Sequence, residues 1–177
     1  MKKILCLILC VFTVLSLTSC FEEDTLYKET GGENQGQENQ GNQGNRKETF
    51  SLNETAVFTD LKFTASEIKE SDGDSFFTPD AGNVFVGVKF TIENISSETQ
   101  TVSSLLLFAA YCDDIKCDYS FSATCAFDEG TLDGELAPGK KLVGWYAVEV
   151  PKGWSTIELA VQSEWLSNTT ATFVFEK

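Results

Sequence analysis

Cys112, Cys117 and Cys125 are the three thiols found after residue 50, and a thiol can ligate a metal, pair as a disulfide or act as a nucleophile. Cys112 and Cys117 flank Asp113-Asp114-Ile115-Lys116. That stretch is short enough to turn a hairpin and set the two side chains opposite each other, which makes the pair the candidate disulfide in an oxidising compartment. Cys125 is then the odd one out; it shares the alternation of Tyr119 and Phe121 and reads as a small buried hydrophobe. A zinc site lacks its ligands, because the chain has no histidine and no CxxC pair.

Asp72, Asp74 and Asp80 place three carboxylates in one short segment. Calcium prefers such oxygen donors, but Phe76 stands where the third ligand of an EF-hand-type loop would fall. A solvated acidic turn accounts for the same residues, so no metal is expected. Glycoside hydrolysis needs only two carboxylates about 5 to 9 Å apart, a spacing that an acid-rich domain meets by chance. The absence of histidine removes Ser-His-Asp triads and HExxH zinc chemistry. No GxSxG, phosphate-cradling Gly-rich loop or kinase signature occurs. The expectation is therefore no enzyme and no cofactor. Among the tryptophans, Trp145 falls mid-strand and Trp154, after Pro151, reads as a plug for one end of the fold. Trp165, between Glu164 and the polar Ser167-Asn168-Thr169-Thr170, is the candidate exposed ring for ligand contact.

A chain of 177 residues has room for one ordinary domain with short extras. Its N-terminus carries an address. Met1-Lys2-Lys3 is followed by an uncharged, mostly apolar run from Ile4 to Leu17 and then by Leu17-Thr18-Ser19-Cys20, the order of a secretory signal too short for a comfortable membrane span. Small residues directly before a cysteine resemble the bacterial lipobox. That resemblance implies that residues 1–19 are removed and that Cys20 is diacylated on sulfur, with palmitate-type chains holding the protein at the extracytoplasmic face of the cell membrane. Two or three acyl chains give stable anchoring where one gives only marginal binding.

The sequence holds 13 Lys+Arg against 27 Asp+Glu. Removing residues 1–19 takes two lysines and no acid, leaving a side-chain charge of about −16. Such a body is repelled by nucleic acid and anionic headgroups, so no nucleic-acid partner is expected. From Gly31 to Asn45 the chain uses only Gly, Asn, Gln and Glu, which cannot build a core. Residues 20–49 therefore read as a lipidated cysteine and flexible polar linker with an r.m.s. reach of about 30 Å.

Residues 50–177 change to short apolar runs broken by turn residues, the pattern of an all-β sandwich of about seven to nine strands. Val84, Val86, Val88, Phe90 and Ile92 alternate with Lys89, Thr91 and Glu93 in a half-buried strand that Asn94 ends. Leu105–Tyr111 reads as a strand covered on both faces. Tyr119 to Phe127 alternates as another strand. Pro138-Gly139 favours a type II turn, after which a strand restarts at Lys141 with Leu142, Gly144, Tyr146, Val148 and Val150 on one face. Ile157, Leu159 and Val161, then Phe173 and Phe175, mark two final strands, and Leu61–Ala65 an early one.

The succession Phe85-Val86-Gly87-Val88 through Ile92-Glu93-Asn94, then Leu136-Ala137-Pro138-Gly139-Lys140-Lys141 with Gly144, then Val150-Pro151-Lys152-Gly153-Trp154 resembles bacterial lipoproteins that carry an immunoglobulin-like domain of unknown function. The resemblance covers about residues 50–177 and implies a β-sandwich outside the membrane, with no catalytic residues or cofactor to carry over. The segment Cys112–Cys125 matches none of its motifs. The function expected is a membrane-anchored, non-enzymatic binding or envelope-assembly module with an envelope protein or glycan as partner. The alternatives are a cell-envelope hydrolase using a carboxylate pair and a calcium-stabilised adhesion-type module.

Overall fold

The computed structural model describes residues 24–29, 47–127 and 130–177. The signal segment 1–19, Cys20 and the polar stretch 30–46 lie outside the described residues. Alternating apolar side chains build a β-sandwich. One sheet has the order β1 (Tyr27–Glu29), β3 (Thr55–Val57), β4 (Leu61–Ser71), β5 (Asn83–Asn94) and β10 (Lys141–Pro151). The facing sheet has the order β2 (Lys47–Phe50), β12 (Thr170–Glu176), β11 (Thr156–Val161), β7 (Phe108–Cys112) and β8 (Ile115–Cys117). A ribbon of β6 (Gln100–Val102) and β9 (Gly134–Leu136) stands apart. β2 joins β12 in parallel, and the other strand pairs within the two large sheets are antiparallel.

The period of two sorts each long strand. Val84, Val86, Val88, Phe90 and Ile92 of β5 face the main core, as do Tyr146, Val148 and Val150 of β10 with Leu142 packed at its margin. Aromatic rings lock the sheets together: Phe90 meets Phe108 at 5.3 Å and Phe173 at 5.2 Å, and Tyr146 stacks on Phe108 at 5.0 Å. Such offset and edge contacts add to the area these rings bury. Trp154 closes one end, buried, with its indole N–H donated to Glu70 at 2.7 Å.

At the opposite end Asn94 is fully buried and acts as a clamp. Its Nδ2 donates to the carbonyls of Glu98 and Leu136, both at 2.7 Å, while its Oδ1 accepts from the Ser96 amide and hydroxyl, both at 2.9 Å. The turn expected at Pro138-Gly139 sits against it: Gly139 has φ 69° and its amide donates to the Asn94 carbonyl at 2.9 Å.

Four expectations are corrected. Leu105–Tyr111 is not one strand. Ser104–Leu107 form a helical turn, α1, whose Leu106 and Leu107 amides donate to the Ser103 carbonyl, and Asp133 holds the Ser104 amide and hydroxyl at 2.8 to 2.9 Å. Leu105 and Leu106 are exposed there, and the strand begins at Phe108 with one face open. The Tyr119–Phe127 segment is not a strand either. Ser120 caps a short helix, α2 (Phe121–Cys125), by accepting the Ala123 amide at 3.1 Å, and α2 lies over the outer face of the first sheet. Ala123 and Phe127, four residues apart, bury there with Phe85, Trp145 and Ala147 in a second small core. Phe127 stacks on Trp145 at 4.9 Å, and a Cβ on Gly87 would lie 2.8 Å from the Phe127 ring.

Cys125 is consequently exposed on α2 rather than buried, since the helical period, not a strand's, decides which side it faces. Lastly, the folded body starts before residue 50. Leu26 is buried in the main core, and β1 pairs with β3 in the register Tyr27 to Val57 and Glu29 to Thr55. The segment 24–29, expected as linker, is part of the sandwich.

Candidate functional site

The outer face of the second sheet carries a groove of about 440 Å³. Register explains it. Ala109 of β7 lies opposite Ala160 of β11, and Ala160 opposite Thr172 of β12, so three small side chains in a row leave a trough across the strands. Tyr111 and Glu158, paired one step along, wall it on one side, while Gln162 and Thr170 wall it on the other, with Lys47 at the rim. Gln162 is held by its Nε2 donation to the Ser167 carbonyl at 2.8 Å. On the floor Thr172 is buried, and among the described residues its hydroxyl has no hydrogen-bond partner. A buried hydroxyl without a partner costs about 1–3 kcal/mol, and this one is sealed beneath the groove floor. Both signs of charge and several hydroxyl and amide groups line the walls, which suits a polar ligand of low net charge.

The sequence-derived candidates are scattered. Cys112 and Cys117 lie on the β7–β8 hairpin, where Asp113 and Asp114 occupy both central turn positions with φ of 49° and 68°, the tight turn that twists with its strands. That two-residue turn opposes Cys112 to Ile115 and Cys117 to Ala110 rather than the cysteines to each other, and both thiols are free. They are diagonal neighbours on the inner face. Burial, with Cys117 and Asp113 close by, pushes the Cys112 thiol from 9.0 up to about 11, and burial also raises Cys117.

Asp72, Asp74 and Asp80 do not converge. Asp72 pairs with Lys152 at 2.9 Å, Asp74 accepts the Phe76 and Phe77 amides at 2.7 and 2.8 Å, and the Asp80 amide donates to Glu149 at 2.8 Å. Among the described residues no three His, Cys, Asp or Glu side chains gather closely enough to hold a metal ion. Among the described residues the carboxylates with displaced ionisation are displaced downward: Glu54 by its bond from Lys28, Glu70 by Lys177 and Asp74 by the Phe77 and Phe76 amides.

Trp165 is exposed, at 63%, with Leu166 beside it at 70%. The two are the central residues of a turn closed by the Ser167 amide on the Glu164 carbonyl at 3.1 Å. Sequence reasoning missed the groove and its Thr172 floor. The available signal was the small residues Ala109 and Ala160 on outward positions of strands otherwise rich in large side chains. Among the described residues no helix is long and apolar enough to cross a membrane.

Several solved structures share this architecture. An uncharacterized β-sandwich protein from Clostridium difficile 630 aligns with a TM-score of 0.52 at 13% identity, over 77% of this chain and 99% of that one. A conserved hypothetical protein from Bacillus anthracis aligns with a TM-score of 0.50 at 18% identity, over 64% of this chain and 88% of that one. A Bacillus subtilis protein described as "a putative lipoprotein (ycdA)" aligns with a TM-score of 0.52 at 15% identity; the match covers 66% of this chain but only 36% of the other. At such identities the likeness shows the fold, an all-β sandwich consistent with an immunoglobulin-like one. No curated protein matches the chain. The family profile described as a domain of unknown function (DUF4352) matches residues 50–171, from the end of β2 into β12, and the chain belongs to that family.

Proposed function

We propose that this protein is a lipid-anchored, extracytoplasmic binding module without catalytic activity, attached through Cys20 and using the groove on the second sheet as its ligand site. The observation that carries the binding role is the trough over Ala109, Ala160 and Thr172 with its mixed polar walls of Lys47, Tyr111, Glu158, Gln162 and Thr170. The anchor is supported by the lipobox-like Leu17-Thr18-Ser19-Cys20 and by the likeness to a protein described as "a putative lipoprotein". A non-enzymatic role is supported by the sequence, which has no histidine and no GxSxG, HExxH or phosphate-cradling Gly-rich motif. The partner is a polar chain segment of the envelope, protein or glycan.

The test places a photo-cross-linker at Tyr111 of the lipidated protein in intact cells. The expected result is one reproducible adduct that disappears when Ala160→Trp fills the trough. Adducts indistinguishable from those of an anchor-only control, or insensitive to Ala160→Trp, refute the groove as the site.

A further inference from the structure

Within the segment expected to hold the domain away from the membrane, residues 24–29 are pinned to the domain instead. Asp24 is the hub. Its carboxylate accepts the hydroxyls of Ser163 and Ser167, the latter at 3.2 Å, and the Thr59 amide at 3.2 Å, while its carbonyl accepts the Thr169 hydroxyl at 3.3 Å. The Thr25 amide adds a bond to the Thr59 hydroxyl at 3.0 Å, and Leu26 follows into the core. Between Cys20 and Asp24 there are four residue steps, which no conformation stretches beyond ~14 Å. An anchor at Cys20 therefore sits within ~14 Å of Asp24, whatever the polar stretch 30–46 does.

The same end of the sandwich exposes apolar side chains. Ser163 and Ser167, the residues that grip Asp24, bracket the turn with Trp165 and Leu166 at its tip. Leu105 and Leu106 project from α1, whose Leu107 carbonyl takes the Gln162 amide at 3.0 Å, and Ile95 is tied by its amide to the Asp60 carbonyl at 2.9 Å next to Thr59. These five are among the eleven large hydrophobic residues exposed in the described structure. Trp and Leu at one rim suit the bilayer interface, where an amphipathic indole partitions between headgroups and chains. Neighbouring Glu164 and the overall negative charge oppose an anionic surface and leave the apolar contact to act.

We propose that the rim formed by Trp165, Leu166, Leu105, Leu106 and Ile95 is a membrane-contact surface, inserted shallowly into the bilayer that Cys20 anchors, so that the domain stands on the membrane in one orientation. This rests on the anchoring proposed above. A weak apolar contact suffices, because a tether of four residues makes the encounter intramolecular.

The experiment uses the full acylated protein reconstituted in phosphatidylcholine vesicles with and without bromines on the acyl chains. Trp145 and Trp154 are buried, so brominated lipid is expected to quench only the emission that Trp165→Phe removes. Inserting twelve Gly/Ser residues between Glu23 and Asp24 quadruples the tether, lowers the rim's effective concentration at the surface about eightfold, and is expected to weaken the quenching. A protein that floats with vesicles and carries acylated Cys20 by mass spectrometry, yet emits identically in both lipids, overturns the membrane contact and leaves the anchor standing. An unmodified Cys20 in a protein that does not float overturns the anchor, and the contact with it.

Discussion

Truncating Asn94 to alanine removes four hydrogen bonds at the point where β5 ends and the β6–β9 ribbon is tied on. The Leu136 carbonyl is buried, and stranding a buried acceptor costs about 1–3 kcal/mol. The bonds to Ser96 and Glu98 are part-buried, so water replaces them in part and each contributes about 0.5–1 kcal/mol. The expected loss is about 2.5–6 kcal/mol, a fall in Tm of roughly 5–24 °C for a domain of this size. Urea titration of the Cys20→Ser protein, followed by tryptophan fluorescence, measures it. Ser96→Ala leaves both Asn94 Nδ2 bonds in place but removes the hydroxyl's part-buried bonds to Asn94 and Gln100 and its exposed bonds with Glu98; it is the control and should cost about 1–2 kcal/mol. Asn94→Asp keeps the acceptor for Ser96 but turns a carboxylate toward two carbonyls. Its folded-state pKa then lies above its unfolded value, so this variant is most stable in acid and loses stability as pH rises through the folded value. An Asn94→Ala protein within about 1 kcal/mol of wild type refutes the clamp.

Gly87→Ala should drive a methyl against the Phe127 ring 2.8 Å away, disturbing the stack on Trp145 at a cost of about 1–3 kcal/mol; near-ultraviolet circular dichroism reports the stack directly, and an unchanged spectrum with unchanged stability speaks against that packing. Iodoacetamide followed by mass spectrometry should label exposed Cys125 first and buried Cys112 last. The Cys112 thiol is raised from 9.0 to about 11 in the fold, so its contribution to stability is complete below pH 9.0 and is lost as pH rises towards about 11. Cys112→Ala should flatten that alkaline decline in a thermal melt, and an unaltered decline rules the assignment out.

The long strands were legible because one of their faces is buried and the other is not, or only under a small satellite core. Val84, Val86, Val88, Phe90 and Ile92 keep one face, with buried and half-buried residues alternating from Val88 onward, and Pro138-Gly139 marks its turn chemically. The segments that misled have apolar residues compatible with two periods. Ala123 and Phe127 satisfy both a period of two and an i, i+4 helix face, and Ser120 as cap, three residues before Ala123, is the deciding sign. Leu105 and Leu106 are apolar without being buried, so a rule that equates apolar runs with covered strands fails on them. Leu26 and Tyr27 are the lone large apolar pair between Phe21 and Phe50, a small island whose docking depends on a vacancy in the core that only the folded partners define. The groove was invisible because its cause is cross-strand register, which a single strand's sequence does not contain.

β1 and β2 belong to different sheets, so a load applied at the N-terminus reaches them in series. A pull directed away from the body meets β1 first, a strand of three residues held by Leu26 and the Asp24 hub. Its release frees the chain from residue 24 to residue 46, about 80 Å of contour, before any tension arrives at β2. The long strands β4, β5 and β10 would carry no load while that slack is taken up. A pull at the N-terminus would therefore act on β1, as short as β3, β6, β8 and β9, before it reached the long strands.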